Sequence, residues 1–589
     1  MAARGMELAR LRPDVLITRH EVTPAEARGW RSAAGESASL VVLVVLADGR
    51  GTGSPVNGGT GSPVDGKTGN PVDGVGTGSP GEDVPARTRL IRREVAADPA
   101  APGDLYPAAL ALAEREWLEA VTAPALATRL ARSRSAGGRE VALIGAGVVN
   151  LVTALRLVRD GYRVTVHDRS PDPRAQAPWA AYGCSRGGGD ARMFTLTEAD
   201  GYHWTAGRTA PFRTPLSEGG WSVAEPSSLT ERDLAWVREG ASIPPWLAEA
   251  YTEDILLFNR RARDLWEEFV HEEPELFHDA GLRRGILRLY TDPHHLRVQV
   301  ARQERVGALR RVLAPAEIAE RHPALREAHA AGVFAGGVEV TGFTVQIHRF
   351  VAGLVDLLEK AGATLRWERP VSVPDTYDTG DLAKVRDGPR ADHYVLSPGV
   401  YGGGLLRGTA SDGLIHGVLG GWVSVPNPAP ELVHSLKIGR TDHLTEDANV
   451  TVTTDPDGRS TLAIGSGYGW TGANPSNIDP AELDVLYRAV EDTVSRFFPG
   501  PFEEARRSGL LDESRRYCVR PWTASSLAVL ELMEHPGGGL VVVTGGHNTG
   551  GFAQAPAVAE AVADALAGRS NPMHTRCHPD RLRLFLSRR

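Results

Sequence analysis

The segment Gly145-Ala-Gly147-Val-Val-Asn150 stands between the apolar run 141–144 and a helical pattern that reaches Asp160. Gly161 stops that helix, and Tyr162-Arg-Val-Thr-Val-His167 reads as a second strand ending at Asp168. Each part has a task in gripping a dinucleotide. Gly145 permits the tight strand-to-helix turn. Gly147 lets the backbone approach a pyrophosphate seated on the positive helix N-terminus, with Ala146 and Val148 beside it. Asp168, followed by Arg169, can accept from ribose hydroxyls, and its charge disfavours a 2′-phosphate. Asn150 stands where the usual third glycine would, which predicts a helix set slightly farther from its strand. The pattern by itself leaves NAD and FAD open.

A strand–helix–strand unit must position these residues, and the rest of the chain must bury it. The 589 residues allow two to four domains, and 42% apolar with 23% charged residues is ordinary for a soluble globular protein. A net charge of −8 argues against a whole-chain nucleic-acid binder. Three cysteines exclude a disulfide scaffold and a Cys-rich zinc module. Lys67, Lys360, Lys384 and Lys437 are the only lysines, so a lone arginine here carries little functional signal. The longest apolar run, 40–47, is too short to span a bilayer, and no targeting segment is visible. A cytoplasmic protein without membrane or nucleic-acid partners is expected.

Residues 1–130 read as a small α+β module of unassigned function. Strands over 40–47 and 88–95 would form a hairpin interrupted by an eight-residue Thr-Gly-Ser-Pro-Val-type repeat at 51–84, with a helix over 105–121. The repeat holds one valine per unit and cannot bury enough surface to offset chain entropy, which predicts a flexible loop. Residues 131–138 read as a linker.

Four later stretches separate the cofactor classes. Cys184-Ser-Arg-Gly-Gly-Gly-Asp-Ala-Arg-Met193, Gly336 to His348, Tyr394-Val-Leu-Ser-Pro-Gly399, and Cys518-Val-Arg-Pro-Trp-Thr523 with Val541 to Pro556 keep the order and spacing of one family. From about 139 to 580 the chain resembles the D-amino-acid oxidase superfamily of FAD-dependent amine and amino-acid oxidoreductases, which includes glycine oxidase and monomeric sarcosine oxidase. The resemblance implies a Rossmann-like α/β FAD-binding domain from 139–235, 343–412 and 515–580. An α+β substrate domain, mainly antiparallel sheet, would come from 236–342 and 413–514, including a helical stretch over 243–270. It also implies hydride transfer from a nitrogen-bearing carbon to flavin N5, giving an imine.

The same resemblance assigns roles to residues. Ser185 and Gly399 would approach the flavin. Gly546, His547, Asn548, Thr549, Gly550, Gly551 and Phe552 would bring a glycine loop and helix N-terminus to its pyrimidine edge. Arg520 would pair bidentately with a substrate carboxylate, and Arg192 would lie at the flavin face. Thr195 and Ala553 replace two carboxylate ligands of the sarcosine-oxidase branch, so Arg520 would carry that role. Cys518 matches the covalent flavin position of that branch, but the missing ligands favour noncovalent FAD. Leu436-Lys-Ile-Gly439 locally resembles the strand on which some relatives hold an oxygen-activating lysine, but strand order puts Ala463 of Leu462-Ala-Ile-Gly465 at that place, which predicts a surface position for Lys437. The histidines match no common metal site, and no metal is expected.

The expectation is therefore an FAD-dependent oxidoreductase of a small amine or amino acid with dioxygen as acceptor. The repeat and the Arg-rich composition suit specialised biosynthesis. A dehydrogenase using another acceptor and a noncatalytic flavin-binding protein are the alternatives.

Overall fold

The structure is a computed structural model and describes residues 15–18, 41–47, 89–95, 106–136, 138–182, 192–199, 211–371, 390–455, 457–535 and 538–581. The repeat at 51–84, Cys184 and Ser185 lie outside these residues. The chain divides into two compact units, Met1–Thr122 and Ala123–Arg589.

In the first unit, β1 (Val15–Thr18), β2 (Val41–Ala47) and β3 (Arg89–Val95) form one sheet in that order. Val41 pairs with Val15 on one side and Arg89 on the other, and both pairings are parallel. This corrects the expected hairpin. A hairpin is closed by a short turn, whereas parallel neighbours need a connection long enough to carry the chain back. In sequence, residues 48–88 separate the two strands. The expected helix 105–121 is Tyr106–Ala136 and runs through the expected linker. Its last turns are held by tertiary contacts: Ser133 Oγ donates to the Leu566 carbonyl at 2.9 Å, and Arg134 Nη2 to that of Gly568 at 2.6 Å.

Along the second unit run β4 (Glu140–Ile144), β5 (Arg163–His167), β6 (Met193–Thr195), β7 (Arg283–Tyr290), β8 (Leu309–Leu313) and β9 (Gly336–Thr344). Then come β10 (Thr364–Arg366), β11 (His393–Leu396), β12 (Ile415–Pro426), β13 (Ser435–Gly439), β14 (Asp447–Thr454) and β15 (Ser460–Gly472). β16 (Arg516–Thr523), β17 (Val529–Glu534) and β18 (Leu540–Gly545) complete the set. Among the described residues no helix is long and apolar enough to cross a membrane.

One sheet has the order β10-β5-β4-β11-β18-β17. Its first five strands are parallel, and β17 runs antiparallel at the edge. Ile144 stands opposite His167 and Leu396, and Leu396 opposite Val543. The loops after β4, β5, β11 and β18 therefore leave the sheet at the same end. The central strands β4, β11 and β18 are almost wholly buried, as expected of a sheet covered on both faces. Alanine-rich helix Gly551–Leu566 packs against helix Val148–Arg159. Helix Pro245–Glu272, matching the expected stretch at 243–270, reaches the same core through Trp266, whose ring stacks on Phe552 at 4.8 Å.

The other sheet has the order β16-β12-β15-β14-β13-β7-β9-β6, with β8 also pairing β9. It is antiparallel except where β13 meets β7. β6 and β16 are strands of this sheet, although both fall in stretches assigned from sequence to the FAD-binding domain. Through β16 it reaches the loop after β18, where Trp522 bridges to His547.

Candidate active site

The four loops at the ends of β4, β5, β11 and β18 enclose a cleft. Gly145, Ala146, Gly147, Val148, Asp168 and Arg169 line one end of it. Gly145 has φ +99°, and a Cβ there would sit 2.3 Å from the Ser397 carbonyl oxygen, so both its conformation and its neighbour require glycine. The Asp168 carboxylate accepts from the backbone N–H of Ala146 at 2.5 Å and of Ser170 at 2.7 Å, fixing the turn from below. Asn150 is fully buried, and its Nδ2 donates to the carbonyls of Gly145 at 2.7 Å and Ile144 at 3.1 Å. Its amide thus ties the helix to the strand end where a third glycine would allow bare contact.

The cleft continues along Gly399, His547, Asn548, Thr549 and Gly551 to Arg520. Asn548 takes φ +54°, held there by its own N–H to the Pro521 carbonyl and by its Oδ1 accepting from Thr523 N–H, both at 3.0 Å. Burial pushes the His547 imidazole down to about 4 against a weaker upward pull from Gln554, so the ring is neutral at ordinary pH.

Arg520 also lines a second pocket, together with Arg192, Trp422, Lys437, Tyr468 and Thr549. Its Nη2 donates to the Gly467 carbonyl at 2.6 Å, and its guanidinium carbon lies 6.0 Å from the Trp422 ring centroid and 5.6 Å from that of Tyr468. Two glycines make the room. A Cβ on Gly420 would be 2.0 Å from Arg520 Nη2, and one on Gly465 would be 2.0 Å from Trp422 Cδ1.

Lys437 is the main correction. It is 4% exposed, and its Nζ lies 2.7 Å from Glu198 Oε1 and 3.2 Å from Asp447 Oδ2. The sheet register explains this: Arg288 on β7, Lys437 on β13, Asn449 on β14, Gly465 on β15 and Trp422 on β12 form one row of paired residues. Ala463 instead pairs with Ser424 and Thr451. Burial raises the Asp447 pKa, but Lys437 and then Arg288 outweigh it and hold the carboxyl below its ordinary value. Arg288 Nη2 donates to Thr195 Oγ1 at 3.2 Å and Thr197 Oγ1 at 2.8 Å, so Thr195 serves the charged network.

Several expected cofactor residues stand behind the cleft wall rather than in it. Phe552 is fully buried against Trp266, because the helix that follows Gly551 turns that position into the core. Gly546, at φ +63°, makes the turn, where a Cβ would meet Thr523 Cγ2 at 2.3 Å. Gly550 caps the helix. Cys518 is buried on β16 opposite Gly420, and its neighbours Val519 and Arg520, not the cysteine, line the cleft. Ser185 lies outside the described residues.

Residues 140–565 match the family model for FAD dependent oxidoreductases. The chain belongs to this family. A D-amino acid dehydrogenase 2 from Ralstonia nicotianae is 25% identical over 464 residues, covering 73% of this chain and 97% of that protein. A D-amino acid dehydrogenase 3 from Mesorhizobium japonicum is 27% identical over 267 residues, 44% of this chain, and the match spans only 60% of the relative's length. Glycine oxidase from Geobacillus kaustophilus is similar in structure, with 17% identity, a TM-score of 0.48 and coverage of 74% of this chain and 96% of that one.

The flavoprotein's own geometry fits FAD. Helix Val148–Arg159 has no side-chain cap at Gly147, and a Cβ on Gly147 would meet nothing within 4 Å, leaving its first N–H groups open to a pyrophosphate. The buried Asn548 Nδ2, in the cleft wall, has no hydrogen-bond partner among the described residues. Sequence reasoning missed Glu198, Asp447, Arg288, Trp422 and Tyr468, whose spacing along the chain carries no motif. For Lys437 the local likeness of Leu436-Lys-Ile-Gly439 was a usable signal.

Proposed function

We propose that this flavoprotein oxidises the carbon–nitrogen bond of a small amino acid whose carboxylate is held by Arg520. The observation that carries the reading is the position of Arg520. It lines both the dinucleotide cleft and the polar pocket beyond Thr549, with its plane set by Trp422, Tyr468 and the Gly467 carbonyl. A bidentate guanidinium–carboxylate pair orients the nitrogen-bearing carbon toward the cleft. Bound FAD supplies the hydride acceptor. The substrate loses that hydride and a proton from nitrogen, and water hydrolyses the resulting imine. The cofactor-binding residues are Gly145, Gly147, Asp168, Gly399, His547, Asn548, Thr549 and Gly551, with FAD bound noncovalently and Cys518 unlinked.

Dioxygen is the proposed acceptor. Arg192, Arg520 and Lys437 together outnumber the two carboxylates lining the polar pocket, and a cationic lining favours reduction of dioxygen to an anion. The names of the two curated relatives support a second reading, a dehydrogenase with a different acceptor.

Anaerobic titration of the purified yellow protein with a panel of amines and amino acids, followed by flavin bleaching, tests the reaction. Bleaching by none of them would exclude carbon–nitrogen oxidation. Peroxide release against dye reduction then separates the two acceptors.

A further inference from the structure

We infer that the substrate is a dicarboxylic amino acid, its second carboxylate held by Arg192. This rests on the reading of Arg520 above and narrows its substrate class. Arg192 and Arg520 come from distant parts of the chain, yet both are buried, at 6% and 7% exposure, and both line the same small pocket. Their guanidinium carbons lie 5.8 and 6.0 Å from the centroid of one indole, that of Trp422. Trp422 thus sets both planar groups in one space, each able to pair with a carboxylate through two parallel hydrogen bonds.

The charges lining the pocket favour a doubly acidic ligand. Its cations are Arg192, Lys437 and Arg520, and its carboxylates are Glu198 and Asp447. Both carboxylates lie at Lys437, at 2.7 and 3.2 Å. Three cations against two carboxylates leave the lining at +1, and Arg288, buried beside Lys437 in the same row, adds a second positive charge. Ser466, Asn449 and Thr549 add hydrogen-bonding walls, so little of the pocket suits an apolar side chain. An uncharged side chain would enter a desolvated, cationic space, whereas a carboxylate completes it.

The reaction stays that of the proposed activity. The Cα–H leaves as hydride and the nitrogen gives up a proton. The imino diacid that forms is hydrolysed by water to a 2-oxo diacid and ammonia. The hydride passes to the flavin, and dioxygen or another electron acceptor takes the two electrons from it.

The test uses the full-length holoenzyme. Both enantiomers of aspartate and glutamate are compared with asparagine, glutamine, alanine and norvaline by anaerobic flavin reduction and by kcat/KM. The acidic amino acids are expected to exceed their amides by about tenfold or more, the worth of one added charged contact. Arg192→Met should collapse that ratio, and Arg192→Lys should restore part of it. In the unmodified enzyme, succinate and glutarate should perturb the flavin spectrum at lower concentration than butyrate and valerate, a readout that does not depend on a variant folding. Amides or neutral amino acids that match the acidic ones, an acid-to-amide ratio that survives Arg192→Met, or monocarboxylates that bind as well, overturn the two-carboxylate reading and leave carbon–nitrogen oxidation standing. Flavin that no amine or amino acid reduces overturns both.

Discussion

Lys437 Nζ lies 2.7 Å from Glu198 Oε1, and the two side chains are 5% and 6% exposed. The pair joins β13 to the turn after β6, on the wall of the pocket that Arg520 enters. Lys437→Met would leave Glu198 and Asp447 as like charges without their shared cation. Breaking a buried pair from one side costs about 3–5 kcal/mol. A matching fall in the denaturation midpoint of the holoenzyme is expected, with partial recovery in Lys437→Met/Glu198→Gln. Asp447 adds a pH signature. Its folded pKa lies below the ordinary 3.8, so its contribution is present above that value and lost as pH falls through the folded pKa. Removing Lys437 releases that carboxyl upward, so the cost of Lys437→Met should be greatest at neutral pH and shrink as pH falls through the acid range. If dioxygen is the acceptor, peroxide formation should also fall more than anaerobic flavin reduction.

Asp168→Ala removes the acceptor of the Ala146 and Ser170 N–H groups as well as the proposed ribose partner. Hydrogen bonds to a charged group are worth about 1.5–3 kcal/mol, roughly ten- to a hundredfold in affinity. Reconstitution of the apoprotein with FAD should show a loss of that order, and Asp168→Asn a smaller one. Unchanged FAD affinity in Asp168→Ala would remove Asp168 from the cofactor site.

Arg520→Ala should cost roughly 2–5 kcal/mol in substrate binding, because a carboxylate is left without its charge partner. Arg520→Lys should fail nearly as badly, since an ammonium cannot reproduce the planar fork. The FAD absorbance should survive both changes. Full kcat/KM in Arg520→Ala would show that the substrate is an amine without a carboxylate.

Gly420→Ala tests the room made for Arg520, because the added methyl would fall 2.0 Å from its Nη2. The guanidinium must move off the Gly467 carbonyl. KM should rise while flavin content and the near-ultraviolet spectrum hold. Gly465→Ala should act through Trp422 instead, with a changed tryptophan fluorescence.

His416 and His547 predict acid sensitivity. Burial pushes both imidazoles down to about 4. For His416, Asp233 pulls upward and Arg232 downward, while its ring stacks on Trp236 at 4.6 Å. Each is neutral when folded but takes a proton near its ordinary value when unfolded. The unfolded state therefore binds more protons between about pH 4 and 6.5, and stability falls as pH drops through that window. Each histidine contributes up to roughly 3 kcal/mol across it. Unfolding free energies measured from pH 7 to 4.5 should decline, and His547→Asn should flatten the slope. A flat profile in the unaltered protein would mean that water reaches these rings.

The dinucleotide end of the site was legible in the chain because its residues are local. A turn between Ile144 and Val148 must use glycine where φ is positive and the Ser397 carbonyl is close, and the acid must end the next strand. Apolar runs such as 141–144 and 541–543 likewise announce buried strands at any position in the chain. The substrate end is different. Arg288, Lys437, Asn449, Gly465 and Trp422 share one row because five strands separated in sequence pair in one register, and register depends on which faces the sheet buries. No spacing along the chain encodes that row, so order alone misplaced Lys437 and silently passed over Glu198 and Trp422. The parallel pairing of β2 with β3 was hidden for the same reason. The residues of a strand do not state its direction, and only its pairing with its neighbour shows it.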